Sequence, residues 1–482
     1  MVHRCRRLIL PSLLAVAGGL VLCACASLLG IDDPLPANAL GADSSAVDSA
    51  RPEDRDATMP DGRADDAALD AGIPTEITVV DPHGLPVPGV KVRVRPAGVF
   101  TDVDKTGDRT TSMAGSVSMV APEKYDAYVQ YGSPVVKVVA YLELTRRNAI
   151  LQVPDADPRL ERKTSVAGAF LGSIAGKYVT CALATASGSV SWFGLTTPPD
   201  AGGTYSYSNA PFFGTTAMPQ GTVHCIQSDD TLGNGPYVYG TTDSLVLVPG
   251  STAYVPIRAP IAPAVESIAV SVTAPMGVTY QGFRKQAVLA PEVGMDIGYV
   301  PFAGNTTTAA PKINGASFNI VARVDNVPAS GDTSFVWAAG IGVGFGSSLA
   351  VLKVPASAPV LTKPVPGPFN LDTLLEIATP VGGLREYRVD CSGAGELSIT
   401  MYSSADGVQV PRALLSTLGV DFSSGMACSW WVSSITAFGS TDAAVATRLG
   451  AGSFAGPPTN ESLPTISGAI VKSKRSSFTV VK

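Results

Sequence analysis

The chain is poor in histidine and lacks the short motifs of common hydrolases. Only three of its 482 residues are histidines, and only His83 and His224 lie beyond the N-terminal 25 residues. No serine occurs in a G-x-S-x-G elbow, and neither an S-x-x-K pair nor an H-E-x-x-H pair is present. The sequence therefore predicts no catalytic residues, no metal site and no cofactor.

Concentrated positive charge is also scarce. The formal net charge is −6, but most of the negative charge falls in one N-terminal segment, which leaves the remaining chain close to neutral. A chain without a basic stripe and interleaved aromatic residues lacks the electrostatic footprint of a nucleic-acid-binding protein. The short basic stretch Lys472, Lys474 and Arg475 is predicted to be part of a solvated terminus.

The N-terminus has the pattern of an export signal. Arg4, Arg6 and Arg7 precede an apolar run over residues 8–31, which is the order of a positive n-region and a hydrophobic h-region. The run is also long enough for an uncleaved transmembrane anchor, which is the alternative interpretation. Both interpretations place the rest of the chain outside the cytoplasm.

Within this run, Leu22-Cys23-Ala24-Cys25 resembles the lipobox of bacterial lipoproteins. That family requires a small residue before the modified cysteine, so the resemblance implies that Cys25 is lipidated and that residues 1–24 are the signal peptide. Cys23 follows the bulky Leu22 and would be removed with the signal. Because Ala26, and not Asp, follows Cys25, the resemblance also implies an outer-membrane location, with a lipid as the contact to the membrane.

The following segment, residues 25–73, is predicted to be a disordered tether. Residues 32–72 contain ten Asp and one Glu against three Arg, with four Pro and no aromatic residue. Such a composition cannot bury enough apolar surface to offset the entropy lost on ordering.

Beyond the tether, the sequence predicts an all-β fold of tandem β-sandwich domains. Gly and Pro are frequent, and Val, Ser and Thr outnumber long helix-forming residues. Proline-rich linkers suggest domains over 74–154, 160–354 and 369–482, and the middle one is either a single domain or two that split near 257–263. Candidate strands in the middle region include residues 178–183, 244–248, 268–273, 318–324 and 335–345.

Four cysteines lie beyond Cys25, and an even number in an exported chain indicates disulfides. Three pairings are possible. The pairs Cys181 with Cys225 and Cys391 with Cys428 would keep each bridge within one predicted domain. Zinc binding is a weaker alternative, because no C-x-x-C pair is present.

The first domain carries a family resemblance. Val90, Val92 and Val94 alternate with Lys91, Arg93 and Arg95, which predicts a strand with one dry and one wet face. The sequences VDPHGLPVPGVKV at 80–92, TD at 101–102 and PEKYD at 122–126 resemble the carboxypeptidase regulatory-like domain. That family implies a small transthyretin-like β-sandwich without catalytic activity, which serves as a spacer or interaction module.

The last domain has three segments of period-two alternation, which are Tyr387-Val389-Cys391, Leu397-Ile399-Met401 and Cys428-Trp430-Val432. It loosely resembles a fibronectin type III or immunoglobulin-like sandwich. The resemblance implies that the disulfide joins two core strands and that Trp430 packs nearby.

Two functions remain open from the sequence. The first is a non-enzymatic, membrane-anchored surface lipoprotein whose β-sandwich modules contact a protein or polysaccharide of the cell envelope. The second is a carbohydrate-binding or carbohydrate-hydrolysing surface protein, since a glycosidase needs only two carboxylates. Its candidate stacking residues come from the aromatic-rich middle region: Trp192, Tyr205, Tyr207 and Tyr237.

Overall fold

The computed structural model describes residues 72–482 with gaps, all of which belong to one compact unit, Ala64–Lys482. The gaps are residues 83, 99–107, 133–134, 155–160, 171–176, 186–195, 198–203, 214–217, 219, 230–232, 243, 258–260, 274–279, 291–292, 302–303, 315, 327–333, 344–348, 354–357, 379–381, 393–395, 411–414, 417–421, 423, 447–467 and 482. In parts of the strands between residues 161 and 349 only the backbone is described. The predicted signal peptide, Cys25 and the acidic tether lie outside the described residues.

The all-β prediction is confirmed. The described chain forms strands β1 to β31 and a short helix, α1, at Thr441–Ala446. Buried residues alternate with more exposed ones along strands such as Ser116–Ala121 and Val265–Thr273, because successive side chains of a strand point to opposite faces of its sheet.

Fourteen strands form one large sheet, called the central sheet here. Twelve of them follow one another in the order β18-β17-β20-β21-β30-β29-β26-β27-β6-β5-β2-β3, while β31 pairs with both β29 and β24. Their bounds are β2 Lys91–Pro96, β3 Arg109–Thr110, β5 Tyr125–Tyr131, β6 Val136–Leu144, β17 Tyr280–Ala290, β18 Val293–Val300, β20 Ser317–Asn326, β21 Ser334–Val343, β24 Pro368–Asn370, β26 Leu384–Ser392, β27 Leu397–Ser403, β29 Ala427–Ile435, β30 Gly468–Lys472 and β31 Ser476–Val481.

The central sheet joins segments that are far apart in sequence. β6 runs parallel to β27, with Val138 opposite Ile399. β30 pairs with β21 on one side and with β29 on the other. Strands from all three predicted domains therefore share one hydrogen-bonded sheet. That residues 74–154, 160–354 and 369–482 fold as separate units stays a prediction.

Smaller elements cover both faces of the central sheet. One layer contains β1 (Ile73–Val80), β4 (Ser116–Ala121), β7 (Asn148–Gln152) and α1, and its core includes Leu384, Tyr402 and Ile435 of the central sheet. The other layer contains β23 (Val360–Lys363), β25 (Leu374–Ala378) and β28 (Gly407–Gln409), and it packs against Tyr387, Val389 and Trp430. We call the two sides the Glu386 face and the Tyr387 face, after two adjacent residues of β26.

The middle region contains two apolar cores. The first lies between the sheets β10-β9-β12-β13, with β14 paired to β12, and β11-β8-β15. The second lies between the sheet β19-β16-β22 and strands of the central sheet. The remaining bounds are β8 Glu161–Ala169, β9 Tyr178–Thr185, β10 Thr196–Thr197, β11 Thr204–Phe213, β12 Gln220–Ser228, β13 Val238–Thr241, β14 Leu245–Val246, β15 Thr252–Tyr254, β16 Val265–Thr273, β19 Asn305–Pro311 and β22 Leu349–Lys353. The chain passes from one set of sheets to the other across residues 257–263.

Both predicted disulfides form, and each joins residues directly opposite one another on antiparallel strands of one sheet. Cys181 on β9 pairs with Cys225 on β12, and Cys391 on β26 pairs with Cys428 on β29. The four sulfurs are therefore unavailable as zinc ligands. The indole of Trp430, next to Cys428, is fully buried and donates its Nε1 hydrogen to the carbonyl of Pro364.

One part of the alternation on β2 is wrong. The pattern predicts Lys91, Arg93 and Arg95 on a wet face, but Arg95 is buried. Its guanidinium pairs with Asp126 at 3.6 Å, bonds to the Tyr128 hydroxyl and lies over the Tyr128 ring. Ion pairing and hydrogen bonding offset the cost of removing this charge from water, and a single-strand pattern cannot reveal such partners.

Candidate binding groove

An open groove of about 670 Å³ lies at one end of β26, β27, β29 and β31. Its lining is rich in hydroxyl groups and includes two carboxylates. The lining residues are Val135, Pro366, Gly367, Asp390, Cys391, Ser392, Glu396, Leu397, Ser398, Ala427, Cys428, Ser429, Ser477, Phe478 and Thr479. We refer to this site as the groove.

Strand register explains why hydroxyl groups collect here. Asp390 of β26 is opposite Ser398 of β27 and Ser429 of β29, and Ser429 is opposite Ser477 of β31. Directly opposed residues point to the same face, so these four side chains form a row across four strands of the Glu386 face. Serine hydroxyls both donate and accept hydrogen bonds, which makes the row suitable for a ligand with many hydroxyl groups.

The two carboxylates of the groove have different surroundings. Asp390 accepts a 2.7 Å hydrogen bond from the Ser398 hydroxyl, and its Oδ1 lies 3.5 Å from Nε of Arg388. Glu396 is exposed, and no described residue donates a hydrogen bond to its carboxylate. Asp390 is thus held in place, whereas Glu396 is available to a ligand.

Next to the groove, three cationic side chains surround the indole of Trp431. The distances to the ring centroid are 5.3 Å from Cζ of Arg388, 4.7 Å from Nζ of Lys472 and 4.2 Å from Cζ of Arg475. Cations at such distances are attracted by the negative face of an aromatic ring. We call Arg388, Lys472 and Arg475 the cation cluster.

A β-bulge places two of these cations. Ser433 is opposite Lys472 and Trp430 is opposite Ser476, so three residues, 473–475, lie across from only two residues of β29. The Ser473 hydroxyl accepts a hydrogen bond from the Val432 amide and donates one to the carbonyl of Lys474. An extra residue of this kind bends a strand and redirects its side chains. Lys474 and Arg475 are exposed, as predicted for this basic stretch, but the stretch connects β30 to β31, and Lys472 and Arg475 lie over Trp431.

A buried acid lies further along the same face. Glu386 is two residues from Arg388 on β26 and is 1 % exposed, and neither carboxylate oxygen has a hydrogen-bond partner among the described residues. Burial raises the pKa of Glu386 from 4.5 to about 7, although Arg388 and Lys472 oppose this shift. Burial also lowers the pKa of Lys472, which Arg475 and Arg388 lower further while Glu386 raises it. Along the Glu386 face, the apolar core is thus followed by a buried acid, then by the cation cluster and then by the groove.

Of the residues predicted to stack on sugars, Tyr205 and Tyr237 are buried. Tyr205 lies opposite Gly168, where an added Cβ would be 2.5 Å from the tyrosine oxygen, and its hydroxyl bonds to the carbonyl of Val255. The Tyr237 hydroxyl donates to the carbonyls of Gly233 and Ala309. These two rings are core residues and not an exposed stacking surface. Trp192 and the side chain of Tyr207 lie outside the described residues.

His224 is in a structural setting. Its Nδ1 lies 2.8 Å from the Tyr239 hydroxyl, and burial lowers its pKa to about 4, so the imidazole is neutral near pH 7. Within the described ranges, no three His, Cys, Asp or Glu side chains cluster in a way that could hold a metal ion. A search of the same ranges finds no helix with the length and hydropathy needed to cross a membrane.

Sequence reasoning missed the groove and the cation cluster, although a signal was present. Residues 386, 388 and 390 are charged and alternate with the apolar residues that predicted β26, so from residue 386 onward the charged side chains of this strand share one face. The pairing of β26 with β27 and with β29 also places serines of these two neighbours opposite Asp390. No protein-family model, curated protein or solved structure shows a significant match to this chain.

Proposed function

We propose that the chain is a non-enzymatic lipoprotein of the outer membrane that is anchored through Cys25. Its central sheet and the layers packed on it bind a polysaccharide of the cell envelope or the extracellular space. The groove is the observation that carries the proposal, because four strands bring hydroxyl groups and two carboxylates to one open surface. Two disulfides support an oxidising compartment outside the cytoplasm. The lipobox and the acidic tether support the anchoring.

Binding is tested with purified, full-length protein in detergent and a panel of immobilised envelope and extracellular polysaccharides. Ala427 is exposed in the groove between Ser392 and Thr479, so Ala427→Phe blocks the groove without removing a polar contact. Ser118→Phe is the matched control on the exposed side of β4. We expect retention on at least one polymer, lost in A427F and kept in S118F. Equal retention by both variants would exclude the groove as the binding site.

Anchoring is tested by feeding cells a labelled fatty acid. The label is expected on the wild-type protein and on Cys23→Ala, and it is expected to be absent from Cys25→Ala. A label that persists in C25A, or a protein that keeps its N-terminal 24 residues in the membrane, would favour the transmembrane anchor instead.

A hydrolytic function is the second candidate, because Asp390 and Glu396 line the same groove and glycosidases use a pair of carboxylates. The same polymers serve as substrates, and the release of reducing ends is measured. Hydrolysis that is abolished by Glu396→Gln, while binding is retained, would replace the non-enzymatic proposal with this one. Asp372→Asn, an exposed acid away from the groove, is the control.

A further inference from the structure

We propose that the cation cluster on Trp431 binds the acidic group of the polysaccharide that lies in the groove, so that the ligand is an anionic sugar polymer and not a neutral one. This inference deepens the proposed function and rests on it. The groove alone would accept any hydroxyl-rich polymer, whereas the neighbouring cations add a requirement for negative charge.

Positive charge is concentrated beside the groove. Arg388, Lys472 and Arg475 contact one indole, and an anion bound beside them would offset the repulsion between these like charges. Arg475 is exposed, and no described carboxylate forms an ion pair with it. Asp390 pairs with Arg388, and Glu386 is buried and makes no hydrogen bond with a described residue, so neither of these acids pairs with Arg475.

The hydrogen-bond donors at the cation cluster suit an anionic group. Guanidinium groups present several N–H donors in a plane that matches a carboxylate or a phosphate. Trp431 adds an Nε1 hydrogen that is buried and has no acceptor among the described residues. The exposed guanidinium of Arg475 therefore offers hydrogen-bond donors to a ligand as well as charge.

The cation cluster lies close to the groove on the same face of the central sheet. Arg388 and Asp390 are two residues apart on β26, on the same face, which corresponds to about 7 Å along a strand. An acidic group at the cluster and hydroxyl groups at the row Ser398-Asp390-Ser429-Ser477 can therefore belong to neighbouring parts of one saccharide chain. An acidic peptide would satisfy the cations but could bond to the serine hydroxyls mainly through its backbone, whereas a sugar chain offers hydroxyl groups on every ring.

The experiment measures the affinity of full-length protein for three polymers: polygalacturonate, the same polymer with its carboxylates reduced to alcohols, and polyglutamate. Arg475→Gln and Arg388→Gln remove one cation each. Lys474→Gln is the matched control, because Lys474 adjoins Arg475 and is exposed but does not contact Trp431. Thermal unfolding of each variant checks that the fold is retained.

We expect polygalacturonate to bind at least about tenfold more tightly than its reduced form, which is the effect of losing a charge-assisted hydrogen bond. R475Q and R388Q should weaken the binding by about tenfold, and K474Q by less than about twofold. Equal loss in K474Q and R475Q would overturn the inference, since it would indicate only non-specific attraction.

The remaining outcomes separate the two proposals. Equal binding of polygalacturonate and its reduced form would disprove the anion site while leaving polysaccharide binding in the groove intact. Equal binding of polyglutamate would disprove the saccharide as the ligand class. Absence of binding to every polymer of the larger panel would contradict the proposed function and this inference together.

Discussion

Trp430 and Trp431 are the same residue at adjacent positions of β29, yet their surroundings have little in common. Trp430 points to the Tyr387 face, where it is fully buried among apolar side chains and the Cys391–Cys428 disulfide. Trp431 points to the Glu386 face, where its ring is covered by three cations. Both are almost fully buried, so burial alone does not distinguish a core residue from one that organises a surface site.

The two faces of the central sheet also differ in what covers them. The Tyr387 face is closed by the layer β23-β25-β28 and contributes stability through apolar packing. Among the described residues, the layer β4-β1-β7 and α1 covers only part of the Glu386 face, and the end beyond this layer carries the groove and the cation cluster. We infer that the Tyr387 face is the main support of the fold and that the open part of the Glu386 face is where binding takes place.

The largest expected effect is the loss of Trp430. Trp430→Ala should lower the free energy of unfolding by about 4 kcal/mol, because it leaves a cavity in the core. Trp431→Ala should lower it by only about 2 kcal/mol, because the flexible cations can fill part of the space. Denaturant unfolding of both variants measures the difference. Equal losses would break the proposed distinction between the faces.

The next largest effect concerns the disulfide on the Tyr387 face. Replacing Cys391 and Cys428 together with Ala should lower the free energy of unfolding by about 3 kcal/mol, since the bridge closes a loop with a sequence separation of 37. Denaturant unfolding of the double variant and of wild type measures this loss. Equal free energies of unfolding would contradict the role of the Tyr387 face as the main support of the fold.

A third prediction uses the pH dependence of Glu386. Because its pKa is raised to about 7 in the folded protein, the folded state holds a proton that the unfolded state releases between about pH 4.5 and pH 7. Stability therefore falls as the pH rises through this window, by about 3 kcal/mol in total. Glu386→Gln should abolish this fall, so that the variant matches wild type at pH 4 and exceeds it at pH 8.

The control for this prediction is Glu76→Gln on β1, where the side chain is exposed. Denaturant unfolding is measured at several pH values between 4 and 8 for wild type and both variants. A wild-type fall that persists unchanged in E386Q would show that other groups cause it.

The smallest effect should come from the contact that holds α1 beside the Glu386 face. Asp442 at the start of α1 accepts hydrogen bonds from the amide and the hydroxyl of Thr145, which follows β6. Asp442→Ala should lower the free energy of unfolding by about 1 kcal/mol, which is typical of the loss of a helix-end or exposed hydrogen bond. Affinity for the polymer is expected to stay the same, because the contact lies away from the groove.

Much of the fold could be predicted from local patterns. Alternation in Tyr387-Val389-Cys391 and in Cys428-Trp430-Val432 predicted strands that the structure contains, and residues 178–183, 268–273 and 318–324 also lie within strands. The position of Arg95 could not be predicted, because its burial depends on Asp126 and Tyr128 of another strand. For the same reason Tyr205 and Tyr237 were expected at the surface, although their hydroxyls bond to backbone carbonyls inside the protein.

The sequence by itself determined the all-β class, since period-two alternation and frequent turn residues are local properties that hold for any arrangement of the strands. Only the tertiary structure decided that β6 pairs with β27, that β30 joins the middle region to the last segment, and that residues 473–475 bulge over Trp431. The physical reason is that a strand offers hydrogen bonds at both edges to any partner. Its own residues set which side chains face the same way, but not which strands become neighbours or which part of a face stays open.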